Sequence, residues 1–125
     1  MPFGKYVTDL GMKKELVPRS LLEQAAHRFR LMGEPARLEI LNLLQARGES
    51  NVQDLVESTG RSQANVSKHL GLMLSEGMVR RRQEGPFAFY SISDPTPAAI
   101  CMLVCGKLQQ EAQTNEDSSL ENADG

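Results

Sequence analysis

The sequence contains two cysteines, and their spacing is the first feature that suggests chemistry. Cys101 and Cys105 lie four residues apart, which on a helix puts both sulfur atoms on one side, one turn apart. Two thiolates placed in this way can bind a soft ion such as trivalent arsenic, cadmium or mercury. The pair can also react with oxidants or persulfides, although a disulfide within one helix would distort that helix. A third interpretation is that both cysteines are small buried hydrophobic side chains, because Met, Leu and Val separate them.

Residues 61–74 form a second group, whose polar side chains are of the types that read DNA. As a helix, this segment gathers apolar side chains into one stripe, at Val66, Leu70, Met73 and Leu74. Small side chains permit close approach to a major groove, amides bond to base edges, and cations contact phosphates. The alternative is an amphipathic helix with a solvated polar face. The small, amide, hydroxyl and cationic side chains of the outer face and its flanks are Arg61, Gln63, Ala64, Asn65, Ser67 and Lys68.

Capping residues and glycines divide most of the chain into five predicted helices. Ser20 and Ser50 each precede a Glu or Gln by three residues, which is the spacing of a capping box. Pro35 suits the first turn of the second helix, and Ser62 can cap the fourth. The third and fourth helices are joined by a turn that contains Gly60, so they have the pattern of a helix-turn-helix.

Two strands, at 78–83 and 87–92, are predicted around a Glu-Gly-Pro turn after the fourth helix. Arg80, Arg81 and Arg82 cluster before this turn. A basic hairpin in this place is typical of a wing, whose tip lies along a minor groove or the backbone. The alternative is a solvated edge hairpin in which arginines prevent aggregation. The expected fold is mainly α with a small β-hairpin, a winged helix-turn-helix in the order ααααββα.

A last helix is expected from about 95 to 112, and its apolar stripe needs a cover. A second copy of the chain is the economical cover, so we predict a dimer. The remaining residues suggest a flexible arm at 1–19 and a disordered acidic tail at 113–125, on either side of a domain at 20–112. The tail holds four carboxylates and no cation, whereas residues 61–82 hold five cations and one carboxylate. The formal net charge of -2 therefore hides a basic stripe.

Several functional classes do not fit the sequence. No apolar run has the length of a membrane span, and the first 20 residues lack the apolar core of a secretory signal, so we expect a cytoplasmic protein without a membrane partner. There is no Gly-rich phosphate loop and no nucleophile with an evident His and carboxylate, so we do not expect an enzyme. A winged-helix module for protein interaction is the alternative to a DNA-binding protein, but it would more typically expose apolar or acidic groups at 61–68.

The order of the elements and three motifs resemble the ArsR/SmtB family of winged-helix repressors. The first motif is Gly-Glu-Pro-Ala-Arg-Leu-Glu-Ile-Leu at 33–41, and the second is Ser-Gln-Ala-Asn-Val-Ser-Lys-His-Leu at 62–70. The third begins with Gly-Met-Val at 77–79 and continues to Gly85 and Tyr90. The resemblance covers roughly residues 20–110.

The resemblance implies a homodimer, paired through its first and last helices, that represses a double-stranded DNA operator with dyad symmetry. An inducer would then loosen its hold on the DNA. Residues that match the recognition-helix motif of the family by position are Ser62, Gln63, Ser67, Lys68 and His69. Arg82 and Gly85 match its wing in the same way.

The sequence also departs from the family. The third helix has no Cys-x-Cys pair, and the last helix has no His, so zinc, nickel or cobalt sensing at the usual sites is disfavoured. We therefore predict a repressor that a thiol-reactive inducer, such as trivalent arsenic or another soft metal ion, releases from DNA through Cys101 and Cys105. The alternatives are sensing of an oxidant or reactive sulfur species by the same pair, and purely structural cysteines. No resident cofactor is predicted.

Overall fold

The computed structural model describes residues 16–124, and side-chain surroundings for residues 16–115. Within this range the elements occur in the predicted order, with one additional short strand. The helices are α1 (Arg19–Met32), α2 (Pro35–Arg47), α3 (Val52–Thr59), α4 (Gln63–Ser75) and α5 (Thr96–Asp124), and the strands are β1 (Ser50–Asn51), β2 (Val79–Glu84) and β3 (Phe87–Ile92).

Helix α1 begins at Arg19, two residues earlier than a cap at Ser20 predicts. The chain divides after Leu31 into two compact units, and α1 makes up most of the described part of the first. The carbonyl of Pro18 accepts the N–H groups of Leu21 and Leu22, both at 3.1 Å. The predicted cap at Ser20 is therefore wrong, because a proline with its φ fixed near the helical value already starts the helix.

Helix α2 contributes four buried residues to the second unit. Pro35 occupies its first turn, as predicted, and Gly48 ends it with a φ of +81°. Its inner face packs against α3, α4, β3 and α5. Burying these apolar side chains is the main stabilising contribution to a small domain. The buried core that α2 shares with α3 and α4 consists of Ala36, Ile40, Leu41, Leu44, Leu55, Val66, Leu70 and Met73.

The helix-turn-helix forms as predicted, except at the start of α3. Gly60 adopts the left-handed conformation at the end of α3, with a φ of +69°, and the Ser62 hydroxyl accepts the N–H of Asn65 at 3.1 Å to cap α4. The side chain of Asn51, not that of Ser50, caps α3 by accepting the N–H of Asp54 at 2.8 Å. Ser50 is buried and lies in β1 instead.

The wing is a three-stranded antiparallel sheet in the order β1-β3-β2. Val79 pairs with Ile92 and Glu84 with Phe87, so β2 and β3 form the predicted hairpin. The sequence did not predict β1, which pairs Ser50 with Tyr90. A strand of two residues is too short to show the alternation by which strands are recognised.

Helix α5 is longer than predicted. The Asp94 carboxylate accepts the N–H of Thr96 at 3.0 Å, as expected of a cap. The helix then continues to Asp124 instead of ending near 112. Residues 107–124 contain no Gly or Pro that would end it.

The division into an arm, a domain and an acidic tail stays a prediction, and residues 1–15 of the arm lie outside the described range. Among the described residues, no helix combines the length and apolar character that crossing a bilayer requires.

Two glycines should respond to alanine in opposite ways. Gly60 needs a positive φ, so we expect Gly60→Ala to lower the free energy of unfolding by roughly 1–2 kcal/mol. Gly71 is the matched control and lies inside α4. Apart from its chain neighbours and the backbone of its own helix, no heavy atom lies within 4 Å of a Cβ added there. Gly71→Ala should raise stability by roughly 0.5–1 kcal/mol. Urea unfolding at one fixed protein concentration measures both, and changes of the same sign would contradict the helix-turn-helix geometry.

Candidate nucleic-acid interface and thiol pair

Helix α4 presents a polar face to solvent. Gln63, Ala64, Ser67 and Lys68 are exposed, while Val66, Leu70 and Met73 lie in the core. Ser62 is also exposed, although its hydroxyl serves as the cap of the helix. The exposed side chains are small, amide, hydroxyl and cationic groups, and this mixture can contact base edges and phosphates.

His69 belongs to the inner face of α4 rather than to the outer one. Only 7% of this residue is exposed, because it stands three residues after Val66 and four before Met73. The guanidinium of Arg37 lies 3.2 Å from Nδ1 of the ring. Arginine can only donate, so Nδ1 accepts and the ring is neutral. Burial and then the positive charge of Arg37 lower the pKa of His69.

Three other side chains of α4 differ from the expected pattern. Asn65 is only half exposed, and its buried Oδ1 has no hydrogen-bond donor among the described residues. Leu74, expected in the apolar stripe, is exposed, whereas Leu72, which was not assigned to that stripe, is half-buried. The inner face is centred on the line from Val66 to Met73, and Leu74 lies at its edge.

On the wing, Arg82 is held by protein carboxylates. It donates to Glu49 at 2.6 and 3.1 Å and to Glu84 at 2.7 Å, and its Cζ lies 4.8 Å from the centre of the Phe89 ring. These hydrogen bonds lower the pKa of Glu49 and raise that of Arg82. Arg82 therefore fastens the wing to the segment after α2, a role that the sequence did not predict.

Arg61 is also paired. Its Nε and Nη2 atoms both lie 3.2 Å from one oxygen of Glu39, on α2. By contrast, no ion pair to Lys68 or Arg80 occurs among residues 16–115. The basic stripe thus separates into cations with carboxylate partners and cations available to an external anion.

The helix and the wing border a common hollow of about 230 Å³. Its amide groups come from the start of α3 and from Gln63, and its other wall is the tip of the wing. Gly85 supplies the positive φ of the wing turn, +57°, and its carbonyl accepts a hydrogen bond from Gln83. The lining residues are Asn51, Val52, Gln53, Gln63, Pro86, Phe87 and Ala88.

The two cysteines lie together on α5, as their spacing predicted. Their Sγ atoms are 3.8 Å apart, which is roughly the sulfur separation around one tetrahedral ion with bonds of about 2.3 Å. Cys101 is half-buried and Cys105 is exposed. Burial and the hydrogen bond with Cys105 raise the pKa of Cys101. No group of three or more His, Cys, Asp or Glu side chains suited to a metal ion occurs among the described residues.

A partly open cavity of about 240 Å³ lies between α2 and α5, with Cys101 in its wall. No pattern along the chain predicted this cavity. It forms only where two helices that are distant in sequence pack against each other. Its surface is mainly apolar, with two amide groups. The lining residues are Leu41, Asn42, Gln45, Ala46, Ala98, Cys101 and Met102.

Comparison with known sequences adds independent information. Residues 34–81 match the family described as "Bacterial regulatory protein, arsR family". An uncharacterized HTH-type transcriptional regulator of Methanocaldococcus jannaschii is 37% identical over 82 residues, which cover 66% of this chain and 92% of that protein. The "Probable mercury resistance operon repressor" of Streptomyces lividans is 37% identical over 87 residues, which cover 70% of this chain and 69% of that protein. Both are transcriptional regulators rather than enzymes.

A solved structure agrees in fold as well as in sequence. The homodimeric winged helix-turn-helix DNA-binding domain of a possible ArsR-family regulator from Mycobacterium bovis is 30% identical, with a TM-score of 0.63. The similarity covers 78% of this chain and 92% of that domain. These matches confirm the resemblance that the three motifs predicted. The chain therefore belongs to the arsR family of bacterial regulatory proteins, which are winged helix-turn-helix transcriptional regulators that bind DNA.

Proposed function

We propose that this protein is a homodimeric repressor that leaves its operator when a soft, thiol-reactive inducer binds Cys101 and Cys105. The observation that carries the DNA-binding part is the exposed polar face of α4, which borders one hollow together with the wing. Lys68 lies on this face and Arg80 on the adjoining wing, and neither is paired with a carboxylate in residues 16–115. An operator would supply the missing negative charge.

Within this surface we assign different roles to the predicted residues. Gln63 and Ser67 contact base edges, while Ala64 permits the close approach that these contacts need. Lys68 and Arg80 bind phosphates and fix the register.

The remaining predicted residues shape the surface instead of contacting bases. Ser62 and Gly85 set the start of α4 and the turn of the wing. Arg61, His69 and Arg82 are paired within the protein, and their contacts hold α4 and the wing in position. Asn65 is half-buried, with its Oδ1 inside the protein.

Exposed apolar side chains on α1 and α5 support the proposed homodimer. On α1, Leu21, Leu22 and Phe29 are each about half exposed, and α5 exposes a further set. Large apolar surfaces of this kind mark an interface in a protein of this size. The similar domain from Mycobacterium bovis is a homodimer, so we propose that a second copy covers these faces. The exposed set on α5 is Met102, Leu103, Val104 and Leu108.

The inducer chemistry rests on the thiol pair. The 3.8 Å separation of the two sulfur atoms suits one soft ion bound by both, and a similar protein is named as a repressor of a mercury resistance operon. Trivalent arsenic has the same preference for sulfur. A disulfide would have to shorten the 3.8 Å separation of the sulfur atoms to about 2 Å and distort the helix, whereas one soft ion can bridge the two sulfur atoms without that distortion. We therefore favour ion binding over redox sensing.

Salt dependence tests the phosphate contact of Lys68. We expect Lys68→Ala to weaken binding to operator and to unrelated DNA alike, because a phosphate contact carries no sequence information. The slope of log affinity against log salt should fall by about one unit. Lys107→Ala removes the same charge from α5 and should leave this slope unchanged. Equal slopes for both variants would remove Lys68 from the interface.

Substitution of the thiols tests the sensor. We expect Cys101→Ser/Cys105→Ser to bind operator as tightly as the parent, since neither cysteine lies on α4 or the wing. Arsenite or mercuric ion should release the parent from DNA and leave the variant bound, as followed by fluorescence anisotropy of labelled operator. Release of the variant at the same concentrations would show that the signal enters elsewhere.

A further inference from the structure

The tip of the wing exposes an aromatic ring beside α4. Phe87 begins β3, where it pairs with Glu84 across the turn, and 55% of the residue is exposed. A single exposed apolar side chain is ordinary in a folded protein. Phe87, however, forms part of the wall of the hollow that the wing shares with Gln63, the first residue of α4. Its ring therefore lies at the edge of the DNA-binding surface.

Several contacts hold the wing tip in place. Gly85 takes the positive φ of the turn, +57°, and its carbonyl accepts a hydrogen bond of 2.9 Å from the amide of Gln83. The ring of Phe89 lies 6.5 Å from that of Phe87, and the guanidinium of Arg82 lies over the Phe89 ring at 4.8 Å. Because Arg82 is itself held by carboxylates, this row of contacts limits the movement of Phe87. Binding then costs less conformational entropy at this ring.

The hollow itself carries no charge. None of the described residues that line it is Lys, Arg, His, Asp or Glu. Its walls are amide groups, contributed by Asn51, Gln53 and Gln63, and apolar groups, contributed by the wing tip and Val52. A surface of this kind does not neutralise a phosphate, but it can cover the sugar, which is the uncharged part of the DNA backbone. The volume of about 230 Å³ exceeds the roughly 150 Å³ that accommodates benzene, and a deoxyribose ring is of similar size to benzene.

The shape of duplex DNA determines what passes over this hollow. A recognition helix lies in the major groove, and the tip of a wing lies along the adjacent minor groove or its backbone. One sugar–phosphate strand separates these two grooves, so it must cross the space between α4 and the wing tip. The hollow occupies this space, with Gln63 on one side and Phe87 on the other.

We propose that Phe87 is a DNA-contact residue, whose ring packs against the deoxyribose of one nucleotide in the strand that crosses the hollow. This contact rests on the proposed operator binding by α4 and the wing and adds a residue to that interface. It is apolar, so the affinity that it contributes does not depend on salt, whereas the contributions of Lys68 and Arg80 do. It also differs from the reading of a base, because every nucleotide of DNA carries the same sugar.

Hydroxyl-radical cleavage of bound DNA tests this contact, because the radical breaks a strand by attacking its sugars. The probe is a duplex that the parent protein selects from a random library, and each full-length variant is added at saturating concentration. Phe87→Ala removes the ring, and Phe87→Leu keeps a smaller apolar side chain. Lys68→Ala is the control, since it removes a proposed phosphate contact from outside the hollow. Circular dichroism shows whether each variant is folded.

We expect the parent to protect the sugars next to the wing in each half-site, and Phe87→Ala to expose those sugars to cleavage while the rest of the footprint remains. The affinity of Phe87→Ala for the duplex should fall by roughly tenfold, as the burial of about half a phenyl ring implies. Its slope of log affinity against log salt should equal that of the parent, because no ionic contact is lost. Phe87→Leu should retain the protection and most of the affinity, and Lys68→Ala should retain the protection with a lower slope.

Two results would overturn the proposed sugar contact. One is a footprint of Phe87→Ala that matches the footprint of the parent at every sugar. The other is a loss of protection in Phe87→Leu as complete as in Phe87→Ala, which would indicate that the ring stacks on a base instead. The failure of the broader function looks different, because the parent itself would then select no duplex and leave no footprint, and the contact would fall with it.

Discussion

The burial of one face of α2 is the constraint on which the second unit of this protein depends. Ile40, Leu41 and Leu44 are almost inaccessible to solvent, and α2 contacts α3, α4, α5 and β3. A helix that packs against so many elements fixes their mutual positions, because close-packed side chains leave few alternative arrangements. The polar side chains at its edges then reach outward to the elements that form the candidate DNA-binding surface.

Those polar contacts divide the basic residues into two sets. Glu39 and Glu49 hold Arg61 and Arg82, so the arginines brace the turn before α4 and the base of the wing. Such exposed pairs contribute little to stability individually, but they orient the segments that carry them. Lys68 remains as a cation on the outer face of α4. The surface is therefore less basic than its number of Lys and Arg residues suggests, because two of the arginines are neutralised by carboxylates.

The cavity beside the thiol pair is also bounded by α2. Cys101 lies where α5 meets α2, and Ala46 forms part of the wall. Contact with α2 links the proposed inducer site on α5 with Arg37 and Glu39, and through them with His69 and Arg61. A small ligand can act on DNA binding in this way only if it stabilises one arrangement of α2 over another.

Local sequence signals determined most of the fold. Periodic apolar residues, Pro35, Gly48, Gly60 and the Ser62 cap act within a few residues, so they specified the helices, the helix-turn-helix and the hairpin. The spacing of Cys101 and Cys105 likewise determined that their sulfur atoms are neighbours. Local signals did not predict β1, because Ser50 becomes a strand residue only by pairing with the distant strand β3.

Tertiary structure alone decided which predicted site residues are available. His69 is buried, and Arg82 is clamped by Glu49, 33 residues away. The cavity beside Cys101 exists only because α2 and α5 meet. Contacts of this kind depend on packing between segments that are remote in sequence, and no spacing along the chain records them. The sequence therefore determined the elements and the chemical types on their faces, while contacts between distant segments decided which of those groups pair within the protein and which remain exposed.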